Sequence, residues 1–368
     1  MSVALAKAAP AQRKPEDGVA DSVPGAACPL PLTQHEQIVL GHGSGGKLSA
    51  QLIERVFLPA FSNPMLNKLD DQAMLKVNGS RLAFTTDAFV VTPLFFPGGD
   101  IGRLAINGTV NDLAMSGSRP LYLAAAFILE EGLSTQELRR IVQSMSESAK
   151  QAEVQLVAGD TKVVNRGQGD KIFIATTGIG VLEKPVNISA DRARPGDKII
   201  LSGYIGDHGM SILSQREHLE FEGTIESDCA ALHKLVADML EVSLEIHCLR
   251  DPTRGGVATV LNELAGRSKV GMLVRETEIP VHDTVRGACE ILGLDPLYVA
   301  NEGKLVAVVP ADLADVMLVR MWQNPLGRDA RIIGEVVGDH PGMVLMKTEI
   351  GGTRVLDTLF GEQLPRIC

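Results

Sequence analysis

No apolar run in the 368-residue sequence exceeds nine residues, Leu121 to Leu129, whereas a helix that crosses a bilayer needs about twenty. A membrane span is excluded. Cysteine is scarce, with five residues at 28, 229, 248, 289 and 368. None forms a C-x-x-C pair, and a sparse, odd set is no disulfide framework. No H-x-x-x-H pair occurs, so a zinc enzyme is not supported, and a reducing cytoplasm is the expected compartment. A basic excess is missing too. Lys and Arg number 35 against 45 Asp and Glu, for a net charge of -10. That balance argues against sequence-independent nucleic-acid binding, which needs a basic surface to displace counterions. What is present is 45% hydrophobic and 22% charged residues, the balance of a chain with a large core and about two domains.

The Ala/Pro-rich start, residues 1–33, carries Glu16, Asp17 and Asp21 where a signal peptide would be apolar. It is expected to be a flexible extension, with Cys28 in it by accident. Structure is expected from Gln34, through a short apolar run at 38–40 into the glycine segment GHGSGGK (41–47). A helix follows, with Leu48, Leu52, Val56 and Phe57 on one face. Further strands are expected at 73–77, 82–86, 120–129, 154–158 and 172–181, with an Asn78-Gly79 hairpin turn between the first two. Helices are expected at 101–115 and after Ser134, which forms a capping box with Glu137. DRARPGD (191–197) breaks the pattern and marks a domain boundary.

Beyond it the sequence predicts strands at 198–202, 270–274, 304–309 and 331–337, and helices at 228–245, 255–265 and 312–322. The division is an N-terminal domain over 34–190, a C-terminal domain over 191–347 and a mobile tail over 348–368. Strands and helices mixed in both halves indicate two α/β (α+β) domains.

Two features look chemical. Gly41-x-x-x-x-Gly46-Lys47 matches a P-loop until Leu48, where the magnesium ligand Ser or Thr belongs. A loop laying N–H groups over phosphates by another geometry is the preferred reading. The second feature is a set of aspartates at strand ends or in polar turns: Asp70, Asp71, Asp87, Asp112, Asp160 and Asp251. Hard cations take oxygen ligands and bridge nucleotide phosphates, so this set fits Mg-ATP. Singly, each is equally an N-cap or turn residue.

The segments at 85–117, GDTKVV (159–164), DPTRGG (251–256), NEGKL (301–305) and PRIC (365–368) together resemble the HypE family of hydrogenase maturation factors. That family belongs to the ATP-dependent superfamily of aminoimidazole ribonucleotide synthetase and selenophosphate synthetase. The resemblance runs in order from about Ile38 to Cys368. It implies a homodimer whose N-terminal domains form a β-barrel-like core, with ATP and Mg2+ in the cleft between the domains. It also implies Asp71, Asp87, Asp112 and Asp251 as metal ligands, with Asp70 a neighbour. Gly45, Lys47, Asn107 and Asp160 would handle the nucleotide, and Arg254 the phosphate or the tail, unless it makes only a salt bridge.

By the same resemblance, Cys368 receives a carboxamide from the carbamoyltransferase HypF. ATP phosphorylates its oxygen, a base takes the nitrogen protons, and the thiocyanate formed passes to iron on HypC–HypD. The tail has few apolar anchors, and Pro365 stiffens the approach to a thiol with nothing beyond it. Glu302 is the first candidate base and Lys162 the second, as relay or electrostatic clamp. The plainer readings are a surface-loop acid for Glu302 and a phosphate-facing cation for Lys162. Cys229, Cys248 and Cys289 read as core residues, and His42 and His208 as possible cleft residues. The competing functions are a nucleotide-binding scaffold for the maturation complex and ATP-dependent activation of a small free metabolite.

Overall fold

A computed structural model describes residues 37–43, 45–219, 221, 223–359, 361, 364 and 366–368. The expected extension at 1–33, Cys28 and Pro365 lie outside them. Residues 39–368 form one compact body, built on two sheets.

The first half opens with helices α1 (Lys47–Leu52) and α2 (Leu58–Phe61), joined by a π-helical turn. Strands β1 (Ala73–Val77) and β2 (Ser80–Phe89) follow, then a small hairpin, β3 (Phe95–Phe96) and β4 (Gly99–Asp100). Helix α3 (Ile101–Met115), strand β5 (Arg119–Glu130), helix α4 (Thr135–Gln151) and strands β6 (Gln155–Val164) and β7 (Ile172–Val181) complete it. The five strands form an open sheet in the order β1-β2-β7-β5-β6, and no barrel closes among the described residues.

One face of this sheet is covered by α3, nearly every residue of which is buried. Alternation sends Ala83, Thr85 and Phe89 of β2 and Ile172, Ile174 and Thr176 of β7 to that face, and all are buried. The opposite face presents Phe84, Tyr122, Ile128 and Ile179, all exposed, and β6 is an exposed edge.

The second half contains β8 (Lys198–Leu201), α5 (Asp207–Arg216), α6 (His233–Val242), β9 (Cys248–Arg250), α7 (Gly256–Ser268) and β10 (Gly271–Arg275). It ends with α8 (Asp283–Leu292), β11 (Val306–Val309), α9 (Ala311–Met321), β12 (Arg331–Val337), β13 (Val344–Lys347) and β14 (Thr353–Leu356). Its sheet runs β14-β13-β10-β12-β8-β11-β9. Thus 353–356, read from sequence as tail, is an edge strand. The boundary segment is pinned: the Asp197 carboxylate accepts from Arg194 N (2.8 Å) and lies 2.7 Å from His247 Nδ1. Among the described residues no helix is long and apolar enough to cross a membrane.

Several local expectations are corrected. Leu40–Gly43 is a 3₁₀ turn, so the glycine loop lacks the preceding strand of a P-loop. Val56 and Phe57 are exposed, not packed beside Leu48. Ser134 caps α4 through Gln136 N (3.2 Å), but Glu137 pairs with Lys171 (3.4 Å) and closes no box. The helix expected from Asp228 starts only at His233. The preceding stretch is held out of the helix by α3, where Leu232 N donates to Asn111 Oδ1 at 2.8 Å and Asn111 Nδ2 to Ala230 O at 3.0 Å.

Candidate active site

The carboxylates gather where β2 and α3 meet the second half. Asp71 precedes β1, Asp87 lies on the α3 face of β2, Asp112 is on α3, and Asp251 follows β9. Gly108 permits the contact between α3 and β2, because a Cβ there would stand 2.8 Å from Phe89 Cζ. One carboxylate oxygen from each of Asp71, Asp112 and Asp251 lies within 4.8 Å of the others. Thr85 Oγ1 is 2.8 Å from both Asp112 Oδ2 and the Asp71 carbonyl, with one proton to donate. Behind Asp71, Arg250 bridges to it (3.1 Å) and to Glu263 (2.7 Å). Asp70 turns away: its carboxylate accepts from Ser189 Oγ (3.0 Å) and Ala190 N (3.1 Å), tying the two halves together.

Burial and crowding act together on these acids. Burial raises Asp71 well above the usual range against the pull of Arg250, with Asp251 adding repulsion. Asp112 is raised by burial and then by Asp251, Asp87 and Asp71. Asp251 is pushed up to about 6 by burial, opposed by Arg250. Burial also raises Asp87, opposed by Arg254. Asp71 Oδ2 is buried with no hydrogen-bond partner among the described residues. Hard oxygen donors, converging and underpaired, are the donor set a divalent cation such as magnesium takes.

Beside this cluster, Asp87, Asp112, Asp251, Arg254, Glu302 and Cys368 line one cavity, of which about 30 Å³ stays open with the tail seated. Glu302 is 3% exposed, so it is no surface-loop acid. Its N–H donates to Asp228 Oδ1 (3.0 Å), and its carbonyl accepts from Asn111 Nδ2 (3.2 Å). Lys304 sits 3.2 Å from the Asp228 carboxylate. Glu302 Oε1 is buried without a hydrogen bond among the described residues. Burial raises the carboxyl well above its ordinary value, and Asp251, Asp87 and Asp228 push it further. A carboxyl in this setting holds a proton more tightly than an exposed one and is the stronger base once ionised.

The residues expected to handle nucleotide divide into two groups. Arg254 Nη1 donates to the Gly43 carbonyl at 2.7 Å, and a Cβ on Gly45 would stand 3.0 Å from Arg254 O, so the glycine loop rests against DPTRGG. Lys47 in that loop pairs with Asp357 (2.6 Å). Asn107 is buried at the junction, its amide donating to Cys229 Sγ (3.6 Å). Asp160 and Lys162 stand elsewhere.

The strand expected to end at Ala158 continues to Val164, so both lie on β6, paired with each other at 2.7 Å and exposed. Asp160 is in register with Ala126, Ala175 and Ala88 across β5, β7 and β2. That row belongs to the face opposite Asp87 and lies three strand spacings from β2, about 14 Å. A single chain therefore does not bring Lys162 to Glu302.

Sequence reading missed Asn111, Arg250, Thr85 and Asp228, whose roles are set by tertiary contacts. The only signals were adjacency to Asp112 and Asp251 for Asn111 and Arg250. Cys229, Cys248 and Cys289 are buried as expected, and burial pushes the Cys248 thiol up to about 12 and Cys289 to about 11. His208 is fully buried against the tail.

Family models match both halves: the AIR synthase related protein N-terminal domain over residues 69–182 and the C-terminal domain over 194–346. The chain is 57% identical over 333 residues to carbamoyl dehydratase HypE of Cupriavidus necator, covering 90% of this chain and 95% of the relative. Among solved structures it resembles one of a HypE–HypF complex with a TM-score of 0.80 at 49% identity, covering 84% of this chain and 99% of the other. A structure of HypE in complex with ATP matches with a TM-score of 0.76 at 51% identity, covering 90% of this chain and all of that one.

Proposed function

We propose, since the chain belongs to the HypE family of carbamoyl dehydratases within the AIR synthase related proteins, that Cys368 carries the group this family dehydrates. The protein is an ATP-dependent dehydratase of hydrogenase maturation, and HypF is its partner. The observation that carries the assignment of Cys368 is its seat in one cavity with Asp87, Asp112, Asp251, Arg254 and Glu302.

The substrate is the S-carboxamide R–S–C(=O)–NH₂ formed on Cys368 with HypF. The carboxamide oxygen attacks the γ-phosphorus of ATP and ADP departs, which turns a poor leaving group into phosphate. The nitrogen then loses its protons as the C–O bond breaks, giving R–S–C≡N, phosphate and one net proton. Glu302 takes a proton from nitrogen. Its buried Oε1 has no hydrogen bond among the described residues, and its raised affinity for protons suits the task. Arg254 steadies the phosphate side. Asp71, Asp112 and Asp251, with Asp87 beside them, would hold a magnesium ion, whose chemistry is to neutralise phosphate charge. The cyano group is then consumed by an iron-bearing HypC–HypD complex.

A homodimer supplies what one chain lacks. The open face of the first sheet carries Phe84, Tyr122, Ile128 and Ile179 exposed beside an unpaired β6 edge, a surface that a second copy would cover and close toward a barrel. Lys162 and Asp160 lie on that face, so they serve the partner protomer's cleft, Lys162 as clamp or relay and Asp160 on the nucleotide side. The loop around Gly45 and Lys47, and Asn107 on α3, remain nucleotide-side assignments of the same cleft, and the cytoplasm is the compartment.

The test is the mass of the C-terminal peptide after incubation with HypF and carbamoyl phosphate, and again after Mg-ATP. Cys368 should gain a carboxamide and lose one water only when ATP is added. Production of the cyano group by a Cys368→Ala variant would sink the assignment. A carboxamide that never dehydrates in an ATP-binding sample would leave a scaffold.

A further inference from the structure

We infer that helix α5 clamps the C-terminal tail for dehydration, with His208 and Arg216 as its two positioning residues. The inference rests on Cys368 being the carrier and concerns what holds the thiol in place. Residues 366–368 lie antiparallel to residues 90–92: Val90 N donates to Cys368 O (2.8 Å) and Thr92 N to Arg366 O (3.2 Å), around a Val91–Ile367 bridge. In such a pair, alternate carbonyls point away from the neighbouring strand. The Ile367 carbonyl points away from residues 90–92, into the interior, where it needs a donor.

His208 is that donor. It is fully buried, with Nε2 2.6 Å from Ile367 O. A carbonyl only accepts, so Nε2 carries the proton and Nδ1 accepts from Ser227 Oγ at 2.8 Å. Ser227 is itself fixed, donating its N–H to Pro97 O (2.8 Å) and accepting from Cys229 N (3.2 Å). Phe96 meets the imidazole edge-on, with ring centroids 5.6 Å apart. The ring cannot turn without losing both bonds.

The far end of the same helix takes the neighbouring peptide. Arg216 donates from Nη2 to Arg366 O (2.7 Å) and from Nε to Thr92 O (2.9 Å), spanning tail and β2 exit together. Between the two anchors, Gly209 leaves the helix surface bare. A Cβ there would stand 3.2 Å from Leu364 Cδ1 and 2.5 Å from Val299 Cγ1, and Leu364 is buried in that space. The carbonyl held by His208 belongs to the residue before Cys368, so its direction sets where the thiol points.

Neither side chain touches the reacting atoms. The clamp must nonetheless open for HypF to load the thiol, which gives the two half-reactions opposite requirements. Loosening the clamp favours loading and hinders dehydration, whereas damage to the fold hinders both.

The experiment uses full-length His208→Ala, His208→Gln and Arg216→Met, the last at a partly exposed position where folding is not at risk. Three quantities are read: iodoacetamide labelling of Cys368 by peptide mass, single-turnover water loss from the carbamoylated chain at saturating Mg-ATP, and ATP affinity. In His208→Ala labelling should rise and water loss fall by about tenfold, the effect of unmaking a buried hydrogen bond. Arg216→Met, whose bonds are part-buried and exposed, should move both the same way by less, with ATP affinity unchanged in each. His208→Gln, which keeps a donor, should recover part of the loss. Wild-type labelling and turnover in both truncating variants would overturn the clamp, and so would ATP affinity falling in step with turnover. If the carbamoylated wild type labels slowly but never loses water, the dehydratase reading fails, whereas faster labelling in both truncating variants still supports the hold on the tail.

Discussion

Replacing Asp251 by Asn should make the metal-free protein more stable, with a pH signature of its own. The carboxyl of Asp251 ordinarily titrates at 3.8, and burial brings it to about 6 in the folded chain. The folded state therefore binds this proton more tightly than the unfolded state. Stability from this group is full below about pH 4 and is lost as pH rises to about 6. The ionised form then carries a penalty of about 3 kcal/mol, at 1.36 kcal/mol per pH unit. Asn is nearly isosteric, removes the charge and leaves the Thr253 N–H to Asp251 carbonyl bond (3.0 Å) in place. It also relieves Asp71, Asp112 and Glu302, each of which Asp251 raises. In thermal unfolding with chelator, Asp251→Asn should match wild type near about pH 4 and exceed it by about 5 °C near about pH 8. Magnesium should raise the wild-type midpoint at the higher pH and raise the variant's much less. A variant less stable than wild type at the higher pH, or a gain equal at both, would refute the reasoning.

Two further outcomes follow from the same geometry. Glu302→Gln should load carboxamide at the wild-type rate and lose water at least about a hundredfold more slowly, within the usual range for removing a general base, and equal slowing of both steps by peptide mass would contradict its role. Because Lys162 lies on the face opposite the acids, Lys162→Ala and Cys368→Ala should each be inactive alone but regain dehydration when mixed and allowed to exchange subunits. No recovery in a verified mixed dimer would mean that Lys162 does not act across subunits.

The first sheet was legible because its signals are local. Ile101–Met115 and Ile172–Val181 were read to the residue, and the Asn78-Gly79 turn, both residues at positive φ, joins β1 to β2 as expected. What failed depended on contacts. Helix α5 has glycines at its cap and third position, little amphipathic signal, and a buried first turn whose His208 bonds a residue 159 positions away. The helix predicted from Asp228 is cut short by Asn111 on another element, although the 228–232 sequence alone has no breaker. The strand expected at 154–158 runs through Gly159 to Val164, held by its pairing with β5, and that length decides on which face Lys162 stands.

The same distinction separates two kinds of site residue. Aspartates beside small residues at strand ends are visible in sequence because their neighbours must be small for backbone to approach, as Gly108 shows against Phe89. The groups that aim them are not: Thr85 reaches Asp112 from 27 residues away, and Asn111 reaches the Glu302 carbonyl from 191. Asn111 is the sharper case. Its one amide binds Ala230, Leu232 and Glu302, so α3, which carries a carboxylate of the cluster, also fixes the backbone of the candidate base. Asp112 and Glu302 are thereby tied through α3, so a shift of α3 relative to the second half, which carries Asp251, disturbs the acid cluster and the anchor of the base at once.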